Sequence, residues 1–81
     1  MRLHELYREF ISISEEIMKN PYSAETKGKI ENFKSKVEES EEIENLVMEN
    51  LNNLQDHIDN ENSREAKKEA HMIIAKFEEE I

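Results

Sequence analysis

The stretch from Ile43 to Ile58 restricts the possible folds more than any other part of the chain. Ile43, Val47, Leu51, Leu54 and Ile58 recur at spacings of three and four residues, which places them on one helical face with Leu46 on its shoulder. The opposite face reads as Glu, Asp and Asn, and no Lys or Arg occurs between Glu41 and Asn60. Such a helix has one face to bury and one uncompensated acidic face to show.

The same periodicity runs through the rest of the chain. Leu3, Leu6, Tyr7, Phe10, Ile13 and Ile17 form a stripe that predicts a helix over 2–19, widened by Ile11 and Met18. Asn20-Pro21 ends it, because the residue before a proline is pushed out of the helical region and proline lacks the next amide donor. Ser23 is a good N-cap for a second helix over 24–39, whose thin stripe is Thr26, Ile30, Phe33 and Val37. Gly28 inside it is either a point of close approach for a neighbouring helix or a weak spot costing about 1 kcal/mol relative to Ala. The run around Ala66, Ala70, Ile73, Ile74, Phe77 and Ile81 predicts a last helix over 63–80. Asn62 with Glu65 reads as a capping box there, and Ser63 is the competing cap.

The join at Glu38-Glu39-Ser40-Glu41-Glu42 decides the architecture. Ser40 can cap a new helix over 41–59, with acidic residues in the first turn where the helix dipole favours them. One unbroken helix over 24–59 is the alternative. At about 100° per residue, Ile30, Phe33 and Val37 face one direction and Ile43, Val47 and Leu54 another, so a break is the simpler account. It also gives four segments of similar length. The expected fold is therefore all-α, a single domain over 1–81 built as an antiparallel up-down-up-down four-helix bundle. The alternative is a three-helix dimeric bundle with a long kinked helix over 24–59. The expected core is Leu6, Phe10, Ile13, Ile17, Ile30, Phe33, Val37, Val47, Leu51, Leu54, Ile58, Ala70, Ile73, Ile74 and Phe77. Tyr22, next to Pro21, is either a core residue or a staple for its loop.

Composition excludes several functions. With 81 residues and 36% hydrophobic residues, the chain buries only about 60% of its unfolded surface. It has no cysteine, so helix packing or self-association must supply its stability, without disulfides or thiolate metal sites. The net charge of −9 argues against direct nucleic-acid binding and against anionic membrane surfaces, and it permits a basic protein partner. No apolar run approaches the roughly 20 residues of a membrane span, and Met1-Arg2-Leu3-His4 does not open a signal peptide, so a cytoplasmic protein is expected.

No constellation carries catalysis, metal or cofactor chemistry. His4-Glu5-Leu6-Tyr7-Arg8 begins like a zinc-protease motif but has Arg8 where the second histidine belongs. Neither His57 nor His71 has Glu three residues before it, as a di-iron bundle would need. A calcium loop starting at Asp59 would require Gly at 64 and Glu at 70, where the chain has Arg64 and Ala70. There is no nucleophile motif and no glycine-rich phosphate loop, so a non-enzyme without cofactor or metal is expected. The one candidate site is the acidic face of 41–60. Glu42, Glu44, Glu49, Asp56 and Asp59 could dock a Lys/Arg-rich partner, in the extreme as a phage- or plasmid-encoded inhibitor that mimics a phosphate backbone and occupies the basic site of a nucleic-acid-binding protein. The plainer reading is a solvated face that confers solubility. Monomer and homodimer both remain open, as does a purely structural, self-assembling module.

Leu3-His4-Glu5-Leu6-Tyr7 followed by Ile11-Ser12-Ile13-Ser14 resembles the first helix of enterocin-A-type bacteriocin immunity proteins. Leu54-Gln55-Asp56-His57-Ile58, a polar turn and Ser63-Arg64-Glu65-Ala66-Lys67-Lys68 are similar to that family's junction between its last two helices. The resemblance covers about a third of the chain. It implies an antiparallel four-helix bundle and a small cytoplasmic non-enzyme that protects a bacteriocin producer by engaging the sugar-permease receptor. No functional residue carries over.

Overall fold

The computed structural model describes the backbone of residues 2–81 and the side chains from Leu3 onward. Four helices follow one another, α1 Arg2–Lys19, α2 Ala24–Glu38, α3 Glu41–Asp59 and α4 Ser63–Glu80, and no strand occurs among the described residues. Each packs on the next, and α4 returns to α1, so the four close a ring of antiparallel neighbours. The molecule measures 32 × 20 × 19 Å, about one helix length by two helix diameters.

The break between α2 and α3 is made locally. Ser40 leaves the helical region (φ −126°, ψ 110°), and its side chain accepts from the Ile43 amide at 3.5 Å. Glu39 caps α2 in helical conformation, so that helix ends at Glu38, one residue short of the expected 24–39. The unbroken helix over 24–59 is not formed. The turn lets Ile30, Phe33, Val37 and Ile43, Val47, Leu54 meet at one core despite their offset phases.

The other two turns are tied by polar side chains. Ser23 caps α2, and the fully buried Thr26 hydroxyl donates to the Asn20 carbonyl at 2.7 Å, joining the start of α2 to the end of α1. Tyr22 is no core residue. It is exposed, and its hydroxyl accepts from the Ser63 amide at 2.9 Å, so it staples the first turn to the start of α4. Asn62 caps α4 by accepting from the Glu65 amide at 3.3 Å. The reciprocal arm of the capping box is replaced, because the Asn62 amide donates to the His57 carbonyl at 2.8 Å. That bond, with Glu61 amide to Ile58 carbonyl at 3.0 Å, is a Schellman closure of α3. It holds Glu61 in the left-handed region at φ 56°.

The core matches the expected one, with two additions and one loss. Ile43 and Ala66 are buried, whereas Ile74 is half-buried. Ile74 follows Ile73 by about 100° of helix and so turns toward the seam with α1. The aromatic rings bind three helices together, with Phe10 on Phe33 at 5.3 Å and Phe33 on Phe77 at 6.3 Å between ring centres. Gly28 supports no close approach, since a Cβ there would meet nothing within 4 Å.

Candidate functional site

The five acidic residues singled out on α3 do not form one surface. Glu42, Glu49 and Asp56 follow at seven-residue steps, about 10.5 Å apart along the axis and drifting only about 20° per step. All three are exposed, and they make one outward row on α3. Glu44 and Asp59 fall on the flank toward α2. Glu44 is half-buried there, and Asp59 lies 4.0 Å from Lys27 Nζ.

The acidic helix is therefore partly compensated from outside itself. On the α2 side, Lys34 donates to Gln55 Oε1 at 2.6 Å, beside the Lys27–Asp59 pair. On the α4 side, Lys76 donates to Asn50 Oδ1 at 2.6 Å and to the Leu46 carbonyl at 3.2 Å. Asn50 Nδ2 in turn donates to Glu69 at 2.9 Å. Asn50 thus belongs to the buried flank of α3 rather than to its open face. Its spacing, three residues after Val47 and four before Leu54, carries that signal. With both ends of its amide paired, Asn50 fixes the register of α3 against α4 without leaving a buried polar atom unsatisfied. The row Glu42, Glu49, Asp56 is what remains open, and no ion pair among the described residues involves it.

The antiparallel order gathers further acid at one end of the bundle. The end of α2, the start of α3 and the end of α4 lie at that end, and these segments carry Glu38, Glu41, Glu42, Glu79 and Glu80. An open groove of about 630 Å³ lies at this end, lined by Leu3, Ser40, Glu42, Ile43, Asn45, Leu46 and Glu80. Sequence reasoning placed Glu42 on a helix face and missed that its neighbours include Leu3 and Glu80. Nothing local in the sequence points to that meeting, which needs the topology.

Several other titratable groups tie the seams between helices. Tyr7 donates to Glu78 Oε2 at 2.9 Å across the α1–α4 seam. This hydrogen bond to the carboxylate raises the Tyr7 pKa above the ordinary phenol value, with desolvation and the Glu78 charge adding in the same direction. The α1–α2 seam is ionic, with Glu9 on Lys36 at 2.9 Å and Glu16 on Lys29 at 3.7 Å. His4 and His71 are exposed and His57 is half-buried. No three of His, Asp or Glu converge as a metal site among the described residues. Nor is any helix among them long and apolar enough to cross a membrane.

The fold and surface define the class as a small acidic four-helix bundle with an open carboxylate row and an acidic, apolar-floored end groove. Compared with protein-family models, curated proteins and solved structures, the chain gives no match.

Proposed function

We propose that this protein is a non-catalytic binding module that docks the basic surface of a protein partner through α3. The observation that carries this reading is the exposed row Glu42, Glu49, Asp56, which keeps its negative charge open while neighbouring helices engage the flanks of α3. Three carboxylates spaced about 10.5 Å apart on a rigid helix attract a cationic surface over long range. They accelerate encounter and select for a Lys/Arg-rich face. Asp59 and Glu44 contribute to the field from the α2 flank.

Affinity capture from lysate at low salt, repeated at moderate salt, tests this reading. A partner is retained by the native chain, released as salt screens the charges, and lost with E42K/E49K/D56K while circular dichroism stays helical. Retention by the charge-reversed chain would sink the proposal. The resemblance to bacteriocin immunity proteins adds a setting, a cytoplasmic protector acting at a receptor, and the bundle fold agrees with what that resemblance implies. Fold does not by itself specify function. The same variants decide this form: expression in a sensitive strain should raise bacteriocin tolerance with the native chain and not with the charge-reversed one. Unchanged tolerance across several bacteriocins removes it.

A further inference from the structure

The groove at the acidic end differs from the row on α3 because it has an apolar floor. Leu3 and Leu46 are only partly buried against the core, and Ile43, at 7%, is the most exposed member of the core itself. The core is thus thinnest where the groove lies. Glu42 and Glu80 stand among its lining residues, and no ion pair among the described residues involves either. Glu38, Glu41 and Glu79 belong to the helix ends that the antiparallel order sets at this end of the bundle. Lys36, a base of that region, is already held at 2.9 Å by Glu9.

These features select the occupant. An apolar floor of this size accepts one or two aliphatic side chains, and the carboxylates beside it favour positive charge next to them. A second copy of this chain would bring an equally acidic end against it, and nucleic acid would bring phosphates; both are repelled. The other openings carry less. The cleft between α1 and α4 beside Met18, His71 and Ile74 has only about 50 Å³, too little for a side chain and its backbone. The Asn50–Lys76–Glu69 cluster is already internally paired.

We infer that the end groove is the anchoring subsite for a cationic amphipathic segment of a protein partner, taking its aliphatic residues on Leu3, Ile43 and Leu46 and its Lys/Arg residues beside Glu42 and Glu80. The inference rests on the acidic-docking reading above and gives it a specific ligand chemistry. A segment that docks here places its chain at the start of α3, and the row through Glu49 and Asp56 steers its approach.

The test uses the intact protein and a fluorescein-labelled amphipathic Leu/Lys helical peptide, followed by anisotropy and by amide chemical shifts. Shifts centred on Leu3, residues 40–46 and Glu80 are expected. E42K/N45K should weaken binding by about tenfold or more, and E49K/D56K, which reverses more charge, by only about twofold. A peptide of equal charge with Ser in place of Leu should bind about tenfold more weakly. Absence of binding by the Leu/Lys peptide overturns the groove. So do equal binding of the two peptides, or a larger loss with E49K/D56K than with E42K/N45K. The last two outcomes leave the acidic-docking reading standing, so the two failures are distinguishable. Circular dichroism of each variant confirms that the bundle is intact, and Glu42→Gln, which removes charge without adding a cation, should weaken binding in the same direction.

Discussion

Glu61 shows how a single residue can be set against its own preference. The Schellman closure of α3 needs a residue in the left-handed region at the position after the cap, where glycine is the usual occupant. This chain puts Glu61 there at φ 56°, between Asn60 and Asn62, either of which tolerates that region better. The closure is nevertheless made, because Asn60 and Asn62 are taken up by the helix end and by the cap of α4. Glu61→Gly should therefore stabilise the protein by about 0.5–1 kcal/mol, read as a higher urea midpoint at unchanged slope. Glu61→Gln removes the charge but keeps the strain, and should leave the midpoint almost unmoved. A gain with Gln equal to that with Gly would show that charge, not backbone, is what matters at this turn. Nothing in residue type marks Glu61 in advance. The sequence signal for Asn50 was present in its three- and four-residue spacing to Val47 and Leu54, but a polar residue is easily assigned to the polar face.

At the scale of elements, the helices were legible because amphipathic period and capping chemistry agree. Asn20-Pro21 and Ser23 mark one turn, Ser40 the next, and Asn62 the last, and in each case the side chain named by the sequence performs the closure. Helix phase favoured a break near Ser40 without deciding it, and the structure makes the break there: a continuous helix would have carried Ile30, Phe33 and Val37 away from the face of Val47 and Leu54. Gly28 was not legible, since glycine in a helix serves equally for close packing or for nothing, and only a view of its neighbours decides. The neighbours are absent, so α2 carries the backbone entropy of glycine with no packing return. Gly28→Ala should accordingly stabilise the bundle by about 0.5–1 kcal/mol, measured by thermal or urea unfolding. A loss of stability would mean that α3 or α1 comes nearer to Gly28 than the structure places it.

Over the whole molecule, topology turns a graded charge distribution into a polar one. The sequence shows six acidic and no basic residues in 41–60, which points to a face. Folding instead sets the start of α3 at the same end of the bundle as the end of α2 and the end of α4, so that Glu41 and Glu42 share that end with Glu38, Glu79 and Glu80. Contacts between residues distant in the chain, such as Leu3, Glu42 and Glu80 around one groove, have no local signature and were legible only once the helices were assembled. This arrangement has a thermodynamic consequence. The ion pairs are mostly solvent-exposed, and exposed pairs contribute little, typically no more than about 1 kcal/mol each. Against them stands the self-repulsion of a net charge of −9 within a particle 32 Å long. The Debye length falls from about 10 Å at 0.1 M salt to about 3 Å at 1 M, so salt screens repulsion across the acidic end more than it weakens contacts of a few ångströms. The melting temperature should therefore rise by a few degrees between about 0.02 M and about 0.5 M NaCl, in keeping with a gain of about 1 kcal/mol or less for a domain of this size. A melting temperature that fell with salt would mean that the inter-helix pairs, Glu9–Lys36 foremost, outweigh the repulsion. The E42K/E49K/D56K chain, with six fewer net negative charges by substitution, should show a smaller rise than the native chain in the same titration. The dependence then locates the repulsion on α3 and its acidic end rather than in a general effect of salt on apolar burial, which would act on both chains alike.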